Sequence, residues 1–366
     1  MTKRQADTFL RIFHARCNHS FSQSATGPDP RLFQVGLQEM RKYWFGILQG
    51  LCSVFLIWRI FSNPELRNDA AKVFLEADIV WLFAGLATAL VTESLCAVRW
   101  WLMLRLFGTP VGLGKVFAFC GAGLFFSLGL PGSAGGDAFR ILYVIQLYPE
   151  RKLMATLSVL ADRLCGLVAL IFAFYISFLP QREIFKSDPA TNKLAMLALI
   201  LLSGVMVLVF LWWLTSFDFF GKSRLPFKNI REKTEPLGKI FVNLSRQPKL
   251  VVYGILISCG ALIFHFTTYY WSCKSYEIPV SFVNILTIMP IIDTITMLPI
   301  TLYGIGLRET LFQHLLGGLY GIPNGSVVMA SLTGFALQAA VALLGGMAIP
   351  CCLIKNPSEP ENKLER

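Results

Sequence analysis

The sequence predicts an all-α polytopic membrane protein with about six full transmembrane helices and two broken helical hairpins in a weak inverted repeat. Of its 366 residues, 55% are hydrophobic and 15% are charged, whereas soluble domains carry about a quarter charged residues. Apolar runs such as 79–98 and 194–214 reach the ~20 residues that cross a bilayer. The eight tryptophans fall near the ends of full spans, as interfacial aromatic residues do.

Ten apolar stretches follow one another along the chain. They lie at about 43–61, 79–98, 116–130, 138–148, 153–179, 194–214, 250–272, 281–302, 310–320 and 326–353. The stretches 116–130 and 138–148 are too short to cross a hydrocarbon core of ~30 Å at about 1.5 Å per helical residue. Basic residues flank both, which places both flanks in the cytoplasm. We therefore expect 116–148 to dip into the bilayer and return on the same side.

The charge of the loops also predicts a second segment that enters and leaves the bilayer on the same side. Segment 218–249 is strongly basic and therefore cytoplasmic, so 250–272 ends outside. If 326–353 returns the chain to the cytoplasm, 281–320 must enter and leave from the outside. The segments LPGSAGGDAFR (130–140) and LPITLYGIGLRE (298–309) share a Leu-Pro pair, glycines and an oppositely charged pair. Two such hairpins are typical of inverted-repeat transporters, whose site lies near the midplane.

The net charge of +11 arises from clusters beside the apolar runs. Segment 218–249 carries eight Lys or Arg residues against three acids. Such clusters follow the positive-inside rule and attract anionic lipid headgroups, so membrane lipids, and not nucleic acid, are the expected partners. The nine cysteines form no CxxC pair, so neither a zinc site nor a disulfide framework is indicated. No cofactor or metal is expected.

Three regions differ in composition. Residues 1–39 are polar and irregular, and we expect a disordered or artefactual N-terminal tail. Residues 40–354 form the predicted membrane domain, and 355–366 form a polar C-terminal tail. Seven basic residues in 1–42 place the N-terminus in the cytoplasm.

The turn of the first hairpin combines a helix breaker with glycines that permit unusual backbone angles: Pro131, Gly132, Gly135 and Gly136. Asp137 and Arg140 then open the next helix at a spacing that puts them on one face. Glycine amides at a helix start, with an arginine beside them, are suited to bind phosphate. The alternative is an ordinary cytoplasmic loop with Asp137 as a helix N-cap.

Further ionisable residues lie inside apolar runs. Asp162 and Arg163 interrupt one span, and Asp293 lies in another. Unpaired groups at such depth cost at least a few kcal/mol, so they mark a pathway or a pair. For Asp162 and Arg163 two interpretations stay open: an ion pair with Arg140 and Asp137, or contact with substrate.

Three other sites carry separate expectations. Glu93 is expected to reach the membrane surface or to pair with Arg99. Arg308 and Glu309 repeat the charged pairing in the second hairpin, where a functional role is favoured. His265 has no second metal ligand nearby in the sequence and is expected to be structural.

At these residues the chain resembles the lysylphosphatidylglycerol synthase transmembrane region family, which are flippase-like integral membrane proteins. The resemblance covers about 43–353 and rests on Arg99-Trp100, LPGSAGGDAFR, SVLADRLCGL (158–167) and LPITLYGIGLRE. It implies that the following residues line the functional region: Pro131, Gly132, Gly135, Gly136, Asp137, Arg140, Asp162, Arg163, Gly304, Gly306, Arg308 and Glu309. Tyr303 and Thr310 stand where the family tends to have glycine.

Members of the family are similar to the flippase half of the bacterial multiple peptide resistance factor, which moves aminoacylated phosphatidylglycerol across the inner membrane. The resemblance therefore implies an inner-membrane lipid translocase, and not an enzyme, with the lipid phosphate held by Arg140 or Arg308. The soluble aminoacyl-transferring domain has no counterpart in this sequence, so the synthase reaction is not expected. The alternatives are a membrane enzyme that transfers a headgroup or sugar to a lipid, and a non-transporting scaffold for a separate lipid synthase.

Overall fold

The structure is a computed structural model that describes residues 48–62, 64, 76–129, 134–216, 244 and 247–349. Every regular element in these ranges is helical, as the sequence predicts. The predicted tails 1–39 and 355–366 and most of the basic segment 218–249 lie outside the described residues. So do Pro131 and Gly132 of the first hairpin turn.

The described helices are α1 (Leu48–Phe61), α2 (Ile79–Leu106), α3 (Leu113–Gly129), α4 (Ala134–Leu147), α5 (Lys152–Phe185), α6 (Pro189–Ser216), α7 (Pro248–Lys274), α8 (Phe282–Thr296), α9 (Leu307–Phe312) and α10 (Asn324–Gly346). A π-helical turn, Gln313–Gly317, follows α9 directly. Five of these helices are long and apolar enough to cross a membrane: α2, α5, α6, α7 and α10. Helices α1, α3 and α8 are apolar but shorter. The predicted first span corresponds to α1, whose described residues are too few to cross a membrane.

Large apolar side chains cover the outside of the long helices. Ile176 on α5, Leu208 on α6 and Leu256 on α7 are all more than half exposed. A soluble protein rarely exposes apolar surface on this scale, whereas a bilayer supplies an apolar solvent for it. The exposed surface therefore agrees with the lengths of the helices in indicating an integral membrane protein.

Helices α2 and α7 pack against each other in opposite directions. The rings of Trp81 and Trp271 stack with centroids 4.9 Å apart, and the Thr88 and Thr268 hydroxyls lie 3.0 Å apart one level deeper. Small residues and hydroxyl pairs let membrane helices approach closely and satisfy each other's polar groups. Both hairpins adjoin α2, which is one helix of this pair.

Helices α3 and α4 form the first hairpin. The rings of Phe126 and Phe139 stack 3.6 Å apart near its tip, and those of Phe119 and Tyr143 stack 4.8 Å apart nearer its base. The order of these pairs shows that the two helices are antiparallel. Gly136 is the point of closest approach, since a Cβ there would collide with the backbone of Gly123.

The two ends of the first hairpin lie together at the end of α2. The Tyr148 hydroxyl donates to the carbonyl of Pro110 at 2.5 Å, and Arg151 donates to the carbonyl of Gly108 at 2.5 Å. Both contacts join the residues that follow α4 to those that precede α3. The chain thus enters and leaves this hairpin at one end of the molecule.

The second hairpin joins the opposite end of α2. The amide of Asp78, which caps the start of α2, donates to the carbonyl of Ser275 at 2.8 Å, just before α8 begins. After α8 and α9, the chain at Gly318 packs against Thr191 in the first turn of α6. Tyr276, before α8, bonds Thr333 of α10, which follows the hairpin. The two hairpins therefore have their bases at opposite ends of α2.

Helix α1 covers the irregular loop of the second hairpin. Gln49 donates to the carbonyl of Pro299 at 2.8 Å, and the amide of Leu302 donates to the Ser53 hydroxyl at 2.8 Å. Irregular backbone at membrane depth persists only where other groups satisfy it. The sequence signal for this role is a pair of polar residues, Gln49 and Ser53, one helical turn apart in an apolar segment, which hydropathy alone does not interpret.

Candidate functional site

Asp162 on α5 is the centre of the charge cluster at the first hairpin. Its side chain is fully buried and accepts two hydrogen bonds from Arg99, at 2.6 Å from Nε and 3.1 Å from Nη2. Arg99 also donates to the hydroxyl of Ser258 on α7 at 3.0 Å. One bidentate ion pair thus links α2, α5 and α7, and it uses most of the donors of Arg99.

Arg163 holds Asp137 in a second bidentate pair. Its Nε and Nη2 donate to the two carboxylate oxygens of Asp137 at 2.9 and 2.7 Å. Asp137 lies inside the first turn of α4, which begins at Ala134, and not at its N-cap. The side chains are 50% and 20% exposed, so this pair is wetter than the one at Asp162.

Arg140 lies between these two pairs without a hydrogen bond to the described residues. Its Nη1 is 3.8 Å from Asp162 and 3.9 Å from Asp137, which exceeds hydrogen-bond distance. Its buried Nε has no partner either, and its guanidinium faces the ring of Trp100 at 5.5 Å. Gly123 leaves the space through which this side chain passes. Arg140 therefore has two carboxylates nearby but donates no hydrogen bond to the residues that the structure describes.

Arg308 is the corresponding arginine of the second hairpin. The residue is only 7% exposed, and its Nε and Nη1 have no partner among the described residues. Its guanidinium lies 5.7 Å from the ring of Tyr269 and 5.9 Å from that of Phe335. Gly304 lies alongside it, and a side chain there would crowd Nη2. A buried guanidinium with free donors is expensive, so a ligand or water must complete it.

The Glu309 carboxylate does not bind the guanidinium of the adjacent Arg308. It accepts instead from the amide of Gly306 at 2.6 Å and from the hydroxyl of Ser331 at 3.0 Å. Adjacent residues on a helix point in different directions, so this pairing is geometrically unfavourable. Glu309 thereby caps its own helix and fastens α9 to α10.

The loop before α9 requires left-handed backbone at three positions. Tyr303, Gly304 and Gly306 have φ of 53°, 79° and 83°. Glycine adopts these angles without a steric penalty, whereas Tyr303 does not. At Gly306 a Cβ would also collide with Leu56 of α1, so only glycine fits beneath that helix.

Of the two alternatives for Glu93, the pair with Arg99 is not formed. Arg99 is bound to Asp162 and Ser258, and a residue six positions earlier on the same helix lies on another face. Glu93 instead points into a small internal cavity. This cavity is lined by Ala89, Thr92, Glu93, His265, Thr268, Gln338 and Val341.

Tyr303 lies within electrostatic range of charged residues from both hairpins. These residues are Arg308 of the second hairpin, Arg140 of the first hairpin, and Arg163 beside it. Glu93 is within the same range of Tyr303.

Comparison with known proteins places this arrangement in a family. The profile described as lysylphosphatidylglycerol synthase TM region matches residues 46–346. The chain belongs to this family. No curated protein matches the sequence significantly.

In the structure, most of the predicted site residues lie in two groups. The first holds Gly135, Gly136, Asp137, Arg140, Asp162 and Arg163, and the second holds Gly304, Gly306, Arg308 and Glu309. Sequence reasoning missed the partner of Arg99 and the cavity of Glu93, since both depend on how α2, α5 and α7 pack. Within the described ranges, no group of three or more His, Cys, Asp or Glu side chains could hold a metal ion.

Proposed function

We propose that this protein moves an anionic lipid, a phospholipid or a lipid-linked phosphate, between the leaflets of the bacterial inner membrane. The proposal rests on a difference in hydrogen bonding among four buried or half-buried arginines. Arg99 and Arg163 are bound by aspartates, whereas Arg140 and Arg308 have no hydrogen bond to the described residues. Each hairpin supplies one such arginine.

Phosphate is the ligand that best completes these two side chains. A guanidinium offers a planar set of donors that matches two phosphate oxygens, and such charge-assisted bonds are strong where water is scarce. A neutral headgroup would leave the positive charge of Arg308 without a counterpart inside hydrogen-bond distance. We therefore place the headgroup phosphate between Arg140 and Arg308, in the region spanned by Tyr303.

The path of the lipid follows the two hairpins. Their bases lie at opposite ends of α2, as contacts at Pro110 and Ser275 indicate. Basic residues mark the base of the first hairpin as cytoplasmic, namely Arg105, Lys115, Arg151 and Lys152. We propose that both hairpins are re-entrant, so that each opens the charged interior toward one face of the membrane. The N-terminus is then cytoplasmic, and the basic segment 218–249 binds anionic headgroups.

A reconstituted-vesicle assay tests the proposal. Phosphatidylcholine vesicles containing fluorescent phosphatidylglycerol are prepared with the wild-type chain, with Arg140→Gln and with Arg308→Gln, and labelled lipid is followed by quencher accessibility. We expect each variant to move lipid at least about tenfold more slowly, because losing one bond to a charged group costs about 1.5–3 kcal/mol. Arg182→Gln is the matched control, since Arg182 is 65% exposed and lies outside the site.

Two results would contradict the proposal. One is wild-type movement of labelled lipid no faster than in protein-free vesicles, with phosphatidylglycerol or with a lipid-linked phosphate. The other is a change in lipid mass after incubation with a headgroup or sugar donor, which would identify a transferase. A scaffold for a separate synthase predicts that both arginine variants keep the wild-type phenotype.

A further inference from the structure

Glu93 is an unpartnered carboxylate in the middle of α2. No hydrogen bond or ion pair joins it to another described residue, yet it lines the internal cavity beside His265. The cavity has about 10 Å³ of water-accessible space, which is enough for roughly one water molecule. A carboxylate at such depth with one water and a histidine beside it is suited to exchange a proton.

His265 lies between two polar side chains, Asp293 and Gln338. Its Nε2 is 3.2 Å from Asp293, and its Nδ1 is 3.1 Å from the amide nitrogen of Gln338. An amide nitrogen only donates, so Nδ1 accepts and the ring proton lies on Nε2, facing Asp293. A second proton at Nδ1 requires the Gln338 amide to turn its oxygen toward the ring.

The charges around this cavity leave a small negative excess. Glu93 lies in electrostatic range of Arg99, Arg140, Arg163 and His265, and Asp293 in range of Arg308 and Tyr269. Among the described residues, the charges around the two hairpins comprise four guanidiniums (Arg99, Arg140, Arg163, Arg308) and five carboxylates (Glu93, Asp137, Asp162, Asp293, Glu309). The carboxylates thus exceed the guanidiniums by one potential negative charge. An entering phosphate adds another, and a proton bound at this cavity removes it.

We propose that Glu93, His265 and Asp293 form a proton-binding site, and that one proton moves with each anionic headgroup. The inference rests on the proposed lipid transport and adds its driving force. The proton forms an O–H bond on the Glu93 carboxylate when it enters from one side of the membrane. That bond breaks when the proton leaves toward the other side. Because coupling is reciprocal, headgroup binding favours proton uptake as much as the proton favours headgroup binding.

Such cotransport is electroneutral, since a singly charged phosphodiester and a proton cancel. A pH difference across the membrane therefore drives lipid, whereas a membrane potential does not. One pH unit corresponds to about a tenfold ratio of labelled lipid between the leaflets at equilibrium. Lipid accumulates in the leaflet on the alkaline side.

The test uses the vesicles described above, with the outside one pH unit more acidic than the lumen. For the wild-type chain we expect labelled phosphatidylglycerol to accumulate in the inner leaflet up to about tenfold, with no change when a potassium diffusion potential is imposed. Glu93→Gln should abolish this accumulation, and Glu93→Asp, which keeps a titratable carboxylate, should retain it. Glu183→Gln is the control, because Glu183 is 67% exposed at the end of α5.

A second measurement is independent of transport. On acidification, the infrared spectrum of the purified wild-type chain should gain a carboxyl C=O component that is missing from the spectrum of Glu93→Gln recorded under the same conditions, so that it appears in the difference between the two. Wild-type lipid movement without a pH-driven bias, a bias that survives in Glu93→Gln, or the absence of a Glu93-dependent band would each overturn the proton site. If no lipid moves at all, lipid transport is contradicted, and the infrared result still decides whether Glu93 binds a proton.

Discussion

Arg163 holds Asp137 with two hydrogen bonds, at 2.9 and 2.7 Å, and thereby keeps that carboxylate away from Arg140. Arg140 lies one helical turn from Asp137 on the same helix, and the two are already 3.9 Å apart. Without Arg163, a small rotation of Asp137 would complete their hydrogen bonds. The half-exposed Arg163 thus binds the Asp137 carboxylate that would otherwise be able to bind the buried Arg140.

Arg163→Gln should therefore reduce lipid transport about tenfold with little loss of stability, because half-exposed ion pairs contribute only about 0–1 kcal/mol. Asp137 would then bind Arg140 in place of the phosphate. The vesicle assay and the thermal midpoint of the purified protein measure the two effects. The double variant Arg163→Gln/Asp137→Asn should recover part of the activity, since Arg140 is free again. Equal activity of the single variant and the wild type would refute this role.

Asp162→Asn should lower the free energy of unfolding by about 3–5 kcal/mol, because it leaves Arg99 charged and buried without its carboxylate. The matched variant is Asp137→Asn, whose pair with Arg163 is more exposed and should contribute less. Unfolding in detergent, followed by tryptophan fluorescence, gives both values. A larger loss in Asp137→Asn than in Asp162→Asn would show that burial does not govern these pairs.

Gly136→Ala should destabilise the first hairpin by about 1–3 kcal/mol, since overpacking forces neighbouring backbone apart. A methyl group at this position would collide with the carbonyl of Gly123 and the hydroxyl of Ser127. Gly204→Ala is the control, because a Cβ there meets open space within a long helix. That change should be neutral or slightly stabilising. The thermal midpoints of the two variants should therefore move in different directions, or at least by clearly different amounts.

Ser53→Ala should cost about 1–3 kcal/mol, because it leaves the buried amide of Leu302 without an acceptor. The loop of the second hairpin would then loosen, and we expect faster amide exchange at Leu302. Ser62→Ala lies on the same stretch of chain, but its hydroxyl bonds only to the carbonyl of Trp58 and is exposed. An equal effect of both changes on the amide exchange of Leu302 would show that α1 does not hold the loop.

The long helices could be predicted from hydropathy, because an apolar run of sufficient length has few other solutions. The hairpins followed from length and charge: α3 and α4 are short, and the ends of their hairpin meet at Tyr148 and Pro110. The interior positions of Asp137, Arg140 and Arg308 could also be predicted, since charges rarely lie inside apolar runs without a role.

Which charged residues form ion pairs with each other could not be predicted from the sequence. Arg99 binds Asp162, which is 63 residues away, and the pair forms only because α2 and α5 cross at that level. Glu93 and Arg99, like Arg308 and Glu309, are close along the chain, but helix geometry disfavours an ion pair within either couple. Ion pairing in this protein is therefore a property of tertiary packing.

The cover that α1 provides over the loop at Pro299 also constrains how the protein is made. Gln49 and its acceptor are separated by 250 residues, so α1 leaves the ribosome long before its partner is synthesised. During that interval a polar side chain lies in a short apolar segment without the carbonyl that satisfies it. This contact can therefore form only after translation has reached the last third of the chain.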